Sequence, residues 1–345
     1  MNHQPLRIGI VGCGWAGGQA VLAATAVPRT DVVAVSDLNE TLRNRVAEEH
    51  AVSRQYGDYR QLLDDEAVEA VYLAVNPVMR HQMVLDAFAA GKHVLVQKPH
   101  AVRAEQIPVI ERAAAQAGKT LQFCYFMRHF PKNRRIRAAI QQGHIGAPYH
   151  ARIFLKFNYQ PATEGIERWL QVYGQKGGAL GQHASHELDM VWWWMGCPKP
   201  VWAFAARHAV YPVYDGPEGP AEDYFSGLVG LEGGMTIQID CSRWLHSDTP
   251  TIVELYGRDG AVTGGKISRY EDGVFTTEEA DAPLDISYSQ PPESVPAFYY
   301  EIERFAMAVE GLAEPEVNAQ DAYQFMQILD ALYDSAKTGE KVEIG

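Results

Sequence analysis

Three groups of residues in this 345-residue chain have the types and spacing that chemistry needs: a glycine turn, a lysine before proline, and a histidine-bearing helix. The turn is Gly12-Cys13-Gly14-Trp15-Ala16-Gly17, a G-x-G-x-x-G pattern that follows the apolar run Leu6–Val11 and opens a helical stretch. In that context it reads as a dinucleotide site. Gly12 permits the tight turn, Gly14 lets backbone approach a pyrophosphate, and Gly17 lets the helix pack on the sheet. The helix N-terminus offers N–H groups and positive dipole to phosphate. Asp37 stands about 20 residues beyond Gly17, at the end of the second apolar run, where a carboxylate can accept both ribose hydroxyls. The same carboxylate repels a 2′-phosphate. Leu38 and Asn39 follow it without an arginine, so the expected cofactor is NAD rather than NADP. Val75, Asn76, Pro77 and His81, after the third apolar run, are further cofactor-side candidates, as are Gln97 and Lys98.

Those residues need a scaffold, and the pattern supplies one. Short apolar runs at Leu6–Val11, Val32–Val35, Val68–Val75, His93–Val96 and Thr120–Cys124 alternate with amphipathic stretches at Ala16–Val27, Leu38–Glu49, Met79–Ala90 and Ile107–Ala117. Strand and helix in strict alternation imply a parallel, doubly wound sheet covered on both faces. Past Tyr125 the texture changes. A helix at Pro131–Gln142 precedes β-branched and aromatic runs at His150–Asn158, Val201–Ala209, Tyr224–Leu231, Met235–Cys241 and Ile252–Tyr256. Gly233-Gly234 reads as a hairpin turn, and Pro212–Pro220 and Pro291–Pro296 read as loops. Helices are expected at Gly181–Met195, Val295–Glu310 and Ala319–Thr338. The fold class is α/β: an N-terminal Rossmann domain, residues 1–124, and a C-terminal α+β domain, 125–345, with a large open, mostly antiparallel sheet.

Composition narrows the partners. The net charge of −13 repels phosphate backbones and anionic membrane surfaces, so neither nucleic acid nor membrane is expected. The local basic run Lys132, Arg134, Arg135 and Arg137 reads as a solvated helix face. No apolar run approaches the roughly 18 residues that span a bilayer, and the first residues lack a signal-peptide pattern. Four scattered cysteines form no disulfide framework, which fits a cytoplasmic protein. His183 and His186 lie three apart without the carboxylate or thiolate set that a metal needs, so no metal is expected.

The segment Ala89-Ala90-Gly91-Lys92-His93-Val94-Leu95-Val96-Gln97-Lys98-Pro99 resembles the A-G-K-H-V-x-x-E-K-P stretch of the glucose-fructose oxidoreductase / inositol dehydrogenase / MocA family. Arg128 and Pro131 fit its R-f-x-P segment, and Gly143-His144-Ile145-Gly146 its G-x-I-G turn. Gly177-Gly178-Ala179-Leu180 with His186 and Asp189 fits its G-G-x-L…H-x-x-D helix, and Pro315, Asp321, Ser335 and Gly339 its terminal helices. The resemblance implies an NAD(P)-dependent enzyme acting on sugars or cyclitols, assembled as a homodimer or homotetramer through the C-terminal sheet. It implies that Lys98 contacts the reacting hydroxyl and that His186 is the general base. An imidazole pKa near 6.5 suits proton transfer near neutrality.

Two departures stand out. Gln97 replaces the glutamate of E-K-P, and Gln182 replaces the frequent aspartate four residues before the histidine. An amide orients a ligand but carries no proton at neutral pH, so acid–base work falls to Lys98 and His186, with His183 as a second candidate. Spacings of four and three place Gln182, His186 and Asp189 on one helical face. Tyr125, Arg128, Tyr159, Arg168, Trp169 and Arg243 are candidates to face substrate, because aromatics stack on sugar rings and arginine forks bind carboxylate or phosphate. The leading function is oxidation of a secondary hydroxyl of a sugar, sugar acid, cyclitol or glycoside by NAD. The alternative is an NAD-dependent glycosidase that oxidises C3 transiently, eliminates the aglycone and returns the hydride, on an anionic sugar glycoside if the arginines face it. A third reading is a non-catalytic nucleotide-binding regulator.

Overall fold

β1 (Leu6–Val11) is buried at all but one position and pairs in parallel with β2 (Thr30–Ser36). The computed structural model describes residues 4–157, 172–211, 219–245, 247–248, 250–281, 289 and 297–345. Contacts divide the chain into two units. The first comprises Met1–Ala101, Glu105–His129 and Ile286–Tyr323; the second comprises Val102–Ala104, Phe130–Asp285 and Gln324–Gly345.

In the first unit α1 (Trp15–Ala26) follows β1, and α2 (Glu40–Glu49) follows β2 with Asn39 as its cap. Then come β3 (Arg54–Tyr56), α3 (Tyr59–Asp64), β4 (Ala70–Leu73), α4 (Pro77–Ala89), β5 (His93–Val96), α5 (Gln106–Ala117) and β6 (Leu121–Phe123). The strand order is β3-β2-β1-β4-β5-β6, all parallel, the doubly wound order that reverses between β1 and β4. Ile8, Ile10, Tyr72, Leu95 and Val35 lie at the centre of its core with Ala20, Ala23 and Ala24 of α1. Small residues on α1 let the helix lie close to the strands.

The first unit also takes in α8 (Tyr299–Val309), whose Ile302, Phe305 and Ala306 join that core beside α1. A division at residue 124 leaves this returning helix out of the nucleotide domain. Its apolar stripe gives the physical reason for its place: Ile302, Phe305 and Ala306 are buried in the same core as the small residues of α1.

The second unit opens with α6 (Pro131–Gln141) and β7 (Pro148–Lys156), followed by α7 (Ser185–Trp194) and β8 (Pro200–His208). β9 (Tyr224–Leu231), β10 (Thr236–Ser242), β11 (Ile252–Gly257), β12 (Gly260–Thr263), β13 (Lys266–Glu271) and β14 (Val274–Glu278) come next. α9 (Ala319–Thr338) and β15 (Val342–Glu343) close the chain. The nine-stranded sheet runs β14-β13-β12-β11-β7-β10-β9-β8-β15, antiparallel except for the β7–β10 pair. Burial alternates along β9 and β10, the period-2 signature of a sheet with one face covered. α7 lies on that face, with Leu188, Val191 and Trp192 buried. No helix among the described residues is long and apolar enough to cross a membrane.

One expectation needs correcting. The basic run on α6 is a solvated face only in part: Lys132 is exposed, but two of the arginines turn inward. Arg134 is buried, and the guanidinium groups of Arg134 and Arg137 lie 5.9 and 4.4 Å over the ring of Trp193 on α7. A weakly hydrated guanidinium stacks on an aromatic face while its stem covers apolar surface.

Candidate active site

The glycine turn is built so tightly that side chains are excluded from two positions. Gly12 holds φ +96°, and a Cβ there would lie 2.4 Å from the Ala74 carbonyl. A Cβ on Gly17 would lie 1.7 Å from the Gly12 carbonyl. Gly14 caps α1 without a side-chain hydrogen bond, and no acid stands in the first turn. The first N–H groups of α1 therefore have no side-chain acceptor from the cap or the first turn, the condition an anion-binding helix start requires. Cys13 turns its thiol into the core, where burial and the neighbouring Asp37 push its pKa up to about 12. Trp15 and Leu38 stand out, 72% and 81% exposed. The Trp15 ring meets Phe298 edge-on at 6.2 Å.

Asp37 is fixed by backbone. Its Oδ2 accepts the Cys13 N–H at 2.7 Å and its Oδ1 accepts the Asn39 N–H at 2.7 Å. Each carboxylate oxygen keeps lone-pair capacity for a further donor. Arg43 of α2 donates Nη1 to the Asp37 carbonyl at 2.7 Å. Sequence reasoning missed Arg43 because it looked only at the residues next to Asp37; the signal was its place one helical turn past the Asn39 cap. Asp37→Ala is expected to weaken NAD binding by about 30-fold, since hydrogen bonds to a charged group contribute about 1.5–3 kcal/mol. It should also shift the preference toward NADP, because a nearby guanidinium stays and the repelling carboxylate goes. Titration of both cofactors against both proteins checks this.

On the other side of the turn, Asn76 caps α4 by accepting the Val78 N–H at 2.9 Å, with Pro77 at the first helical position. Arg80, buried beneath, donates one η-nitrogen to the Val75 carbonyl and the other to the Pro99 carbonyl. One guanidinium thus ties the loop after β4 to the residue after Lys98. Arg80 was hidden in the sequence as one cation in an amphipathic helix. His81 is half-buried, its Nδ1 is buried without a hydrogen-bond partner among the described residues, and burial lowers its pKa toward the neutral ring. The cradle, the uncapped helix start, Asp37 and this orphaned imidazole nitrogen fit a dinucleotide.

Lys98 is half-buried beyond the carboxyl end of β5, and the Lys98-Pro99 bond is cis. Gln97 is buried; its Oε1 accepts the Lys98 N–H at 2.7 Å and its Nε2 donates to Tyr72 Oη at 2.6 Å. Tyr125 and Arg128 are fully buried in the same unit. Tyr125 packs edge-on to His100 at 4.7 Å, and Arg128 pairs with Asp321 at 2.6 Å. Both places point to structural work.

In the second unit the helix before α7 is widened. Leu180–Ala184 forms a π turn, which carries Gln182 and His183, and α7 begins at Ser185. The i→i+5 bonding means that four residues no longer bring Gln182 directly under His186. Burial separates the set too: Gln182, His183 and His186 are half-buried, while Asp189 is fully buried. The His183 ring lies 4.3 Å from Phe157. π turns recur at functional sites, because they re-aim side chains at a cost the fold must offset. Here the offset is visible. Tyr333 Oη accepts the Gly181 N–H and donates to the Gly177 carbonyl, both at 3.1 Å. Tyr159, Arg168 and Trp169 lie outside the described residues. Arg243 is buried, with its guanidinium 5.0 Å over Trp244.

Glu222 holds the start of this helix and was not foreseen, since nothing in a sequence marks a buried glutamate. It is fully buried. Its Oε1 accepts the Leu180 N–H at 3.0 Å and its backbone carbonyl accepts the Ala179 N–H at 3.1 Å. Its carboxyl lies against Gly178, where a Cβ would meet Oε2 at 2.4 Å. Burial raises its pKa from 4.5 to about 7, against the lowering by the Leu180 N–H and by Arg207 and Arg243. The folded state therefore binds this proton more tightly than the unfolded chain. Stability falls as pH rises from the unfolded value through the folded one. Glu222→Gln keeps the acceptor for Leu180 and removes the titration. Its unfolding midpoint, compared with that of the parent between about pH 5 and about pH 8, is expected to depend less on pH.

Sequence comparison now places the chain. Residues 6–125 match the oxidoreductase family's NAD-binding Rossmann fold, and residues 137–344 match its C-terminal alpha/beta domain. The chain belongs to the Gfo/Idh/MocA oxidoreductase family. Members similar to it include 1,5-anhydro-D-fructose reductase of Ensifer adhaerens, 27% identical over 98% of both chains. Another is myo-inositol 2-dehydrogenase of Thermotoga maritima, 25% identical over 92% of both. Among solved structures, levoglucosan dehydrogenase in complex with NADH and levoglucosan has the same fold, with a TM-score of 0.84 and 20% identity. It covers 99% of this chain and all of its own. The protein is an NAD-dependent oxidoreductase of this family.

Proposed function

We propose that this Gfo/Idh/MocA protein oxidises a secondary hydroxyl of a sugar, sugar acid, cyclitol or glycoside to the ketone. The observation that carries the reading is the place of Lys98, just past the carboxyl end of a strand in the unit that holds the dinucleotide turn, where open α/β folds receive their ligands. Bound NAD supplies the hydride acceptor. Gly12, Gly14 and the start of α1 hold its pyrophosphate, and Asp37 its ribose. The Lys98 ammonium donates a hydrogen bond to the substrate oxygen and stabilises charge that builds there as the C–H bond breaks. His186 accepts the hydroxyl proton at its imidazole. The Gln182 amide orients substrate without exchanging a proton. His183, held against Phe157, is the alternative proton acceptor.

His186→Asn keeps size and hydrogen bonding and removes the base. It is expected to lower kcat by about a hundredfold, the usual contribution of a positioned general base, and to abolish the acidic limb of the pH profile. The equivalent change at His183 should leave that limb in place. Steady-state rates across pH distinguish the two. Substrate class is tested with NAD and a panel of neutral and acidic polyols beside simple alkanols; equal rates on alkanols would count against a sugar-type site.

The expectation of an anionic substrate rested on arginines. Arg128 is committed to Asp321 and Arg243 is buried against Trp244, so an anionic substrate would have to be met by Arg168, which lies outside the described residues. The sheet face that α7 does not cover is inferred to mediate a homodimer or homotetramer. Phe204, exposed on β8 between the buried Ala203 and Ala205, is an apolar group available to it.

A further inference from the structure

Gly181 is where the helix before α7 leaves the α register, and hydroxyl groups take both of its backbone bonds. In an α-helix the Gly181 N–H would donate to the Gly177 carbonyl, four residues back. Tyr333 Oη stands between the two: it accepts the Gly181 N–H and donates to the Gly177 carbonyl, each at 3.1 Å. In the same way the Gly181 carbonyl would receive the Ser185 N–H. It receives the Ser185 hydroxyl instead, at 3.0 Å. The Ser185 N–H turns to the Leu180 carbonyl, five residues back, and to that of His183. Ser185 and Tyr333 are both buried. Gly181 is bare where the wedge enters, since a Cβ there would meet the Lys176 carbonyl at 2.1 Å and Tyr333 Oη at 2.8 Å. The N–H groups of Ala179 and Leu180 are held by Glu222, so the helix start is anchored independently of Tyr333. The Tyr333 ring is itself fixed on two sides. Lys176 Nζ lies 4.8 Å over it and is paired with Asp330 of α9 at 2.5 Å, while Phe225 of β9 packs at 6.1 Å.

We propose that Tyr333 and Ser185 are positioning residues: their hydroxyls hold the π turn open and so set the direction of Gln182 and His183 relative to His186. A side chain inserted between a donor and its carbonyl four residues back deforms a helix locally, and a serine that bonds back four residues adds to the effect. Without the two hydroxyls, the Gly181 N–H and carbonyl would face the groups that match them in an α-helix. The two α bonds would then close, because an unpaired backbone group is costly to bury. Successive residues on an α-helix differ in direction by about 100°, so a change of one residue in register swings Gln182 and His183 by an angle of that order against His186. The His183 ring, 4.3 Å from that of Phe157, would leave it.

This inference rests on the reading of Gln182, His183 and His186 as residues that meet the substrate, but its first measurement needs no substrate. Tyr333→Phe keeps the ring beneath Lys176 and removes one hydroxyl, Ser185→Ala removes the other, and the double exchange removes both. Leu332→Val is the control, a buried residue of α9 packed toward Gly227. Imidazole resonances of the histidine-labelled proteins are recorded beside their unfolding midpoints, with His183 and His186 assigned through their asparagine variants. The His183 ring protons are expected to lose the ring-current displacement from Phe157 in all three exchanges and to keep it in Leu332→Val. With NAD and a polyol that the parent oxidises, kcat is expected to fall by about a hundredfold in Tyr333→Phe, the effect of a displacement of about 1 Å at a reacting group, with KM for NAD unchanged. The double exchange is expected to lose no more than the worse single one, because both hydroxyls hold one two-state element. A His183 signal that stays in place in Tyr333→Phe and the double exchange, or that moves as far in Leu332→Val, would overturn the proposal. So would losses that multiply in the double exchange, or a moved signal with kcat within about threefold of the parent. If no polyol reduces NAD, the dehydrogenase reading fails, while the His183 signal still decides what holds the turn.

Discussion

Lys98→Met is expected to lower kcat/KM by about a thousandfold, about 4 kcal/mol of transition-state stabilisation, while NAD affinity changes by less than about tenfold. Methionine keeps the length of the stem and removes the ammonium. Gln97 still accepts the backbone N–H of residue 98, and Arg80 still holds the carbonyl of Pro99, so the chain path is kept. What is lost is the donor to the oxygen on which charge builds. The loss should therefore fall on kcat and kcat/KM together, the pattern of an interaction made in the transition state. Rates for the variant within tenfold of the parent would move the burden to His186 and remove Lys98 from the mechanism.

Gly17→Ala is expected to abolish measurable NAD binding, a loss of more than about a hundredfold, and to lower the unfolding midpoint as well. The new Cβ would stand 1.7 Å from the Gly12 carbonyl, a contact with backbone that no side-chain rotation relieves. Either α1 retreats from β1 or the turn opens. Both displace the N–H groups that face the pyrophosphate. Gly18→Ala is the control, since nothing lies within 4 Å of a Cβ there. Calorimetric titration of both variants with NAD checks the contrast.

Much of the first unit was legible because its physics is local. Buried parallel strands read as continuous apolar runs, and β1 and β5 fall at the expected residues. β3 and α3 were not read, because Arg54–Tyr56 is a short, largely exposed edge strand with no apolar pattern to show. β14 is exposed at every position, and from Gly260 to Glu271 only Val262, Ile267 and Ser268 are buried, too few to write an alternating pattern into the sequence. The π turn at Leu180–Ala184 was invisible. Its hydrogen-bond register depends on Tyr333, which lies 152 residues away from Gly181 in sequence. Glu222 and Arg80 escaped notice on similar grounds. A charged residue announces burial only through partners that sequence order does not reveal. Asp37, Lys98 and His186 stand out in the sequence because the roles proposed for them require a residue type at a spacing; they lie beside the glycine turn, just past a strand end and one turn after the π turn.

The electron balance tests the central claim most directly. The enzyme is given NAD with sugars, sugar acids and cyclitols, and separately with aryl glycosides, and NADH is compared with the ketone and aglycone formed. The account predicts NADH and ketone in equal amounts on at least one polyol and no aglycone release. Aglycone released in the presence of catalytic NAD, with no net NADH, would contradict it.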